Sequence, residues 1–147
     1  MLDFTILNDY LPMLGQAIIL TLEFTLLSTV VGFLWGIVLS LIKISKIKPL
    51  VLFAQFYTSI FRGTPLLVQL MLIYYATPQL LNYQITALQA GVLTFGLNSA
   101  AYISESIRGG ILSVDKGQWE AAMSLGVPKH RLLIDIVFPQ AFKNTLP

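Results

Sequence analysis

Few residues in this 147-residue chain could take part in chemistry, and most of those are embedded in apolar sequence. Cysteine is absent and His130 is the single histidine. This removes thiolate nucleophiles, disulfides, thiolate metal sites and any multi-histidine metal centre within the chain. No GxxxxGK[ST] phosphate loop occurs, nor any Gly-Lys pair, so nucleotide phosphates have no cradle of that type here. No catalytic residue is assigned. What remains is polar groups at helical spacing. Thr94, Asn98, Tyr102 and Glu105 fall along one stripe of a helix. Polar groups inside an apolar helix face protein or a water-filled path. The stripe therefore either bonds helix to helix or lines a pathway for a zwitterionic solute. The run Arg62-Gly63-Thr64-Pro65 adds a cation, a hydroxyl and a helix breaker in close succession. It reads as a kinked helix start or as part of a gate.

The elements that must hold these groups are membrane spans. Hydrophobic residues make up 56% and charged residues 11% of the chain, against roughly 45–50% and about 25% in soluble domains. So few charges cannot cover a soluble protein, and the excess apolar surface must face lipid. The pI near 9.0 raises nucleic acid as a partner. The basic residues, however, form no patch with interleaved aromatics, and no nucleic-acid partner is expected. Phe24 to Ile42 is an uncharged run of 19 residues, about 28 Å of helix against a ~30 Å hydrocarbon core. The first span is placed at about 14–42. Glu23 would snorkel or pair near its outer edge, and Trp35 would pack or face lipid. Gly32 and Gly36 have the GxxxG spacing that allows close helix approach, a pattern common by chance. The start Met1-Leu2-Asp3-Phe4 lacks a positive leader, so the first apolar segment is expected to be a permanent span rather than a signal peptide.

Three lysines and Pro49 follow this span. Gly63 to Ser104 then holds 42 uncharged residues, suited to two spans joined by the turn Pro78–Gln84. Pro65 to Thr77 alone is about 20 Å of helix. The second span, about 50–77, must therefore borrow length from before the break at Arg62–Pro65. Thr64 would be its internal N-cap and Pro65 the first helical position. Pro65 leaves the Phe61 carbonyl without a helical donor, which a membrane tolerates only against protein or water. The third span is placed at about 88–107. Lys43, Lys46, Lys48, Arg108, Lys116, Lys129 and Arg131 all fall on one side of this arrangement and no Lys or Arg on the other. The positive-inside rule then puts the amino terminus outside a cell membrane that the chain crosses several times.

Residues 109–131 form a polar cytoplasmic segment. Asp115 can cap a short helix, with Gln118 as capping-box partner. The helix is expected to run to about Leu125 and to end at Gly126. Pro128 starts another, with Leu132, Leu133, Ile136 and Val137 on one face before Pro139. Residues 132–147 would begin a fourth span, only about 24 Å even if fully helical. The chain is thus expected to be incomplete. His130 lies in a solvated loop and is given no role.

This segment carries the most specific pattern: Glu120-Ala121-Ala122, three residues, Gly126, nine residues, Ile136, one residue, Phe138-Pro139. It resembles the EAA loop of ABC importer permeases, with Phe138 where leucine is usual. Arg62 to Gln69, Ala101 to Gly110, Gly117-Gln118-Trp119 and Pro139-Gln140-Ala141 resemble the polar amino-acid subfamily of histidine, glutamine and arginine type. The resemblance implies an all-α polytopic membrane protein with an incomplete type I ABC importer permease fold. It also implies a cytoplasmic coupling helix that docks on a separate ATPase, to which Gly117, Trp119, Glu120, Ala121, Ala122, Met123, Gly126 and Pro139 would contribute. ATP and Mg would be bound by that partner, with no cofactor on this chain. A second permease subunit, the same or a paralogue, and an extracytoplasmic solute-binding protein complete the implied assembly. Arg62, Thr64, Asn98, Tyr102 and Glu105 are the candidate pathway residues. A permease for another small solute and a passive channel subunit are the alternative functions.

Overall fold

The computed structural model describes residues 5–145, with side chains described from Tyr10 to Asn144. Helix α1 (Thr5–Ile44) runs unbroken through Pro12. It starts earlier than the span expected from about Leu14. From Tyr10 to Ile44 it is apolar and long enough to cross a membrane. It exposes Ile18, Leu22, Leu26 and Leu34 along its length, a surface that suits lipid and not water.

Helix α2 (Lys48–Gly63) starts with Pro49 in its first turn, where a missing N–H costs nothing. Helix α3 (Leu66–Leu81) follows after a break, and the two axes diverge by 105°. They have the length and hydropathy of a span only when taken together as a bent pair. The second span is therefore not a kinked rod. The chain turns almost at right angles where Pro65 removes a backbone donor. Helix α3 also continues through Pro78 and ends at Asn82, which adopts φ 49°. The connecting turn is thus shifted toward Asn82–Thr86 from the expected Pro78–Gln84.

Helix α4 (Ala87–Leu112) opens with a complete capping box. The Gln89 N–H donates to Thr86 Oγ1 at 3.2 Å, and the Thr86 N–H donates to Gln89 Oε1 at 3.0 Å. It runs one turn beyond the expected end near Ile107.

The α1–α4 pair is the most extensive helix contact. Small residues recur every fourth position on α1: Ser28, Gly32, Gly36 and Ser40. A Cβ at Gly32 would lie 2.9 Å from Ser99 Cβ, and one at Gly36 would lie 2.7 Å from Ile103 Cγ2. On the facing helix, a Cβ at Gly96 would lie 2.7 Å from Val31 Cγ1. Backbones this close gain dispersion contacts that lipid chains cannot replace, which is how helices associate without a hydrophobic drive. The GxxxG spacing, weak as a sequence signal, is the seam of the fold.

Leu39, Ala54 and Ala100 are fully buried together, with Trp35, Ile42 and Tyr57 packed around them. Trp35 meets Tyr57 edge-on at 6.3 Å, so its role is packing. Tyr57 donates its hydroxyl to the Leu97 carbonyl at 2.8 Å, pinning α2 on α4. A second cluster of Ile111, Val114, Ala122, Leu132, Val137 and Ala141 joins the end of α4 to the segments that follow.

Candidate functional site

The break between α2 and α3 is held by side chains rather than left open. Asn98 Nδ2 donates to the Phe61 carbonyl at 2.9 Å, and Gln69 Nε2 donates to the same oxygen at 2.9 Å. This is the carbonyl expected to be freed by Pro65. Gln69 Nε2 also reaches Thr64 Oγ1 at 2.7 Å and the Thr64 carbonyl at 3.1 Å. Asn98 Nδ2 further donates to Gln69 Oε1 at 3.2 Å. Thr64 is not an N-cap. Its hydroxyl turns back to the Ile60 carbonyl at 2.8 Å, and Pro65 occupies the cap position of α3 without a side-chain cap bond. Unpaired carbonyls in hydrocarbon cost several kcal/mol in order of magnitude, and Gln69 and Asn98 supply the replacement donors. Gln69 ends the Arg62–Gln69 motif but is not among the candidate pathway residues read from sequence. Its position four residues after Pro65, one turn from the break, is the signal that could have found it.

Adjoining the break is a polar groove of about 450 Å³ between α2 and α4, lined by Gln55, Thr58, Ser59, Arg62, Gly63, Tyr102 and Glu105. The structure thus gathers three candidate pathway residues, Arg62, Tyr102 and Glu105, in one groove. Asn98 and Thr64 sit in the hydrogen-bond network at the break and do not line the groove, and Thr94 is fully buried with its hydroxyl on the Ala90 carbonyl. The Arg62 guanidinium stands 5.3 Å from the centre of the Tyr102 ring, a cation–π distance.

Glu105 is not a free carboxylate. Its Oε1 accepts from Lys43 Nζ at 2.7 Å and its Oε2 from Arg108 Nε at 3.1 Å. Lys43 also donates to Ser104 Oγ at 2.9 Å, and its side chain is 1% exposed. Lys43, counted from the sequence only among the basic residues of one membrane face, therefore belongs to a buried cluster. Its partners lie more than sixty residues away in the chain, so no local pattern reveals the pairing.

Helix α5 (Lys116–Ser124) forms where the EAA pattern begins. Asp115 caps it by accepting from the Gly117 N–H at 2.7 Å. The reciprocal bond from Gln118 that would complete a capping box is not formed. A Cβ at residue 117 would lie 2.7 Å from Asp115 Oδ1, so glycine makes room for the cap. The far end is a Schellman closure. The Gly126 N–H donates to Met123 O and the Val127 N–H to Ala122 O, both at 3.0 Å, with Gly126 at φ 72°.

The faces of α5 differ from the expected docking face. Ala122 is 4% exposed and inside the chain's own core, and Trp119 packs against that core. Glu120, Ala121, Met123 and Leu125 are exposed. Trp119 and Ala122 seat the helix on the spans, and the exposed set is what a partner could touch.

After α5, helix α6 (Lys129–Arg131) passes into a π-helical stretch, Leu132–Val137, and then helix α7 (Phe138–Thr145). Pro139 does not stop the helix. It lies one residue after a turn widened to i→i+5 bonding, in which the Phe138 N–H reaches Leu133 O. The proline ring would collide with the carbonyl of residue 135 in a regular α-turn, and the wider turn relieves this. Gln140 Nε2 covers the Ile136 carbonyl at 3.0 Å.

A long lipid-facing helix, a bent pair, a polar groove and a short helix seated on the bundle with one face uncovered describe a component of a membrane transport system. Residues 28–147 match the family described as "Binding-protein-dependent transport system inner membrane component", and the chain belongs to that family. It is therefore a membrane protein. It is 49% identical over 146 residues to the arginine transport system permease protein ArtQ of Bacillus subtilis (strain 168), covering 99% of this chain and 67% of that protein. It is also 49% identical over 132 residues to a protein of Rickettsia bellii (strain RML369-C) with the provisional name glutamine transport system permease protein GlnP, covering 90% and 61%. A crystal structure of an amino acid ABC transporter with histidines superposes with a TM-score of 0.88 at 44% identity, covering 100% of this chain and 68% of that one. The chain thus spans about two thirds of the length of these relatives.

Proposed function

We propose that this chain is part of the permease subunit of an ATP-driven importer of polar amino acids, working by alternating access. One observation carries the reading. Helix α5 bears the EAA residues, is anchored on one side by Ala122 and Trp119, and leaves Glu120, Ala121, Met123 and Leu125 uncovered. A helix clamped at both ends and docked on the bundle moves with it. A partner that grips the exposed face can therefore tilt the helices that line the groove.

The partner for that face is a separate ATPase that binds ATP and Mg. A second permease subunit, the same or a paralogue, completes the pathway, and an extracytoplasmic binding protein delivers the solute. The amino terminus lies outside, with spans at about 14–42, 50–77 and 88–107, the coupling segment at about 109–131 and a fourth span beginning at about 132. The relatives' names point to arginine and glutamine, which differ in side-chain charge and share the α-carboxylate and α-ammonium groups. Those shared groups define the substrate class.

The test is reconstitution of the full-length permease with its ATPase and binding protein in lipid vesicles. Labelled amino acid should accumulate only with ATP on the cytoplasmic side. Uptake down a gradient that ignores ATP would refute the proposal and favour a passive channel.

A further inference from the structure

We propose that Arg62 anchors the α-carboxylate of the transported amino acid in the groove between α2 and α4, with Tyr102 as the platform that orients it. The proposal rests on the reading of the chain as an amino-acid permease subunit and adds the polarity with which the substrate sits.

Charge decides that polarity. Glu105 is the one carboxylate that lines the groove, and on sequence alone it is the natural seat for a substrate ammonium group. Both of its oxygens are already taken, by Lys43 and by Arg108. Lys43 is enclosed, with 1% of its side chain exposed, so it cannot swing aside without leaving a buried charge unpaired. Arg62 is the other charged group on the groove wall, and it has no carboxylate within ion-pair distance among the described residues. The four groups Arg62, Lys43, Arg108 and Glu105 sum to a positive field. An incoming ammonium would meet a carboxylate neutralised twice over. An incoming carboxylate would meet a guanidinium that has no ion pair among the described residues.

Geometry agrees. Contact with the Tyr102 ring, 5.3 Å from ring centre to guanidinium carbon, steadies Arg62 without consuming its N–H donors. Those donors form no hydrogen bond to another described side chain or carbonyl, and they match a carboxylate in bidentate fashion. The rest of the wall, Gln55, Thr58 and Ser59, is polar and uncharged. Such a wall can take side chains of either charge or none while the carboxylate fixes the orientation. The volume of about 450 Å³ lies within the ~300–1,000 Å³ usual for small-molecule sites.

The experiment uses the full-length permease with its ATPase, purified in detergent without the binding protein. Labelled arginine or glutamine is displaced by the unlabelled amino acid or by its α-carboxamide, in which the carboxylate is replaced by a neutral group. The parent should prefer the acid by about tenfold or more, the order expected of one charge-assisted pair. Arg62→Gln should weaken the acid by about the same factor and leave the carboxamide unchanged, so that the preference collapses. Tyr102→Leu keeps the charge and removes the platform, and should reduce the preference partially.

An acid preference retained in Arg62→Gln overturns the inference, as does equal weakening of acid and amide or an absent preference in the parent. If Arg62→Gln instead loses bound anionic lipid while keeping the acid preference, Arg62 is a headgroup contact and the inference also fails. ATP-driven uptake by the parent, measured alongside, separates the two claims. Uptake with an unchanged preference in Arg62→Gln sinks this inference alone, whereas no uptake by the parent sinks the functional reading beneath it.

Discussion

Gly126 offers a perturbation whose cost can be worked out from local geometry. Its φ of 72° lies in the left-handed region, and a Cβ added there would meet nothing within 4 Å. Packing therefore contributes nothing to the penalty, which is purely conformational. A left-handed L-residue costs roughly 1–2 kcal/mol, enough to lower the ratio of native to non-native helix exit by about 5–30-fold. Asparagine tolerates this conformation best after glycine, and a β-branched residue tolerates it least. The two Schellman bonds at 3.0 Å would be lost with the exit geometry, and Pro128 would then lead the chain away from the seat of Leu132. The expected order of coupling is Gly126, then Asn, then Ala, then Val. The assay is ATP hydrolysis stimulated by loaded binding protein in the reconstituted full-length complex, with membrane insertion and ATPase co-purification measured on the same samples. Gly126→Val should insert normally and lose stimulation, while Gly126→Asn should keep most of it. Equal activity of Asn and Val variants, or a Val variant that couples like the parent, would refute the reasoning.

Four further outcomes are expected. Gln69→Leu should lower thermal stability in detergent by about 1–3 kcal/mol, since the Thr64 carbonyl loses its side-chain donor and the Phe61 carbonyl one of its two, Asn98 remaining; an unchanged melting temperature would mean that water replaces the lost donor. Asn98→Leu should cost less, because Gln69 still covers Phe61. Lys43→Met should strand Glu105 beside Arg108 alone and destabilise the protein, by less than the ~3–5 kcal/mol of a fully buried pair because Glu105 keeps 25% exposure. Pairing Lys43→Met with Glu105→Leu should recover folded yield, and failure to do so would show that the cluster is more than a compensated pair. A cysteine at Gln84 should react with an impermeant thiol reagent from outside and one at Lys46 should not; the chain has no native cysteine, and the reverse pattern would invert the orientation.

Much of this architecture is written in local sequence, and the parts that are not have a common cause. The break at Arg62–Pro65 is legible because Pro65 lacks a donor and the apolar stretch after it is too short to span alone, whereas Pro12 and Pro78 stand inside helices that continue. Of the donors that repair it, Gln69 lies within local reach, one turn after Pro65, whereas the pairing of Asn98 is not legible because it comes from another helix, thirty-seven residues away. The ends of α5 are legible for the same local reason: Asp115 and Gly126 act on their immediate neighbours. Its inward face is not, since a nine-residue helix has too few positions for periodicity to separate Ala122 from Ala121. The glycine spacing on α1 is common by chance, and only Gly96, Ser99 and Ala100 on the opposite helix make it a seam. Lys43 shows the same limit. A lysine near a membrane edge is usually solvated, and only the approach of α4 converts it into a buried counter-ion.

The central claim is that the exposed face of α5 is gripped by an ATPase, and site-specific photo-crosslinking in the full-length complex tests it most directly. A photoreactive residue at Met123, which is 53% exposed, should form an adduct with the ATPase whose yield changes between ATP-bound and nucleotide-free states. The same residue at Gln84, near the opposite membrane face, should not. Absence of an ATPase adduct from Met123 in a complex that still couples ATP hydrolysis to uptake would contradict the account.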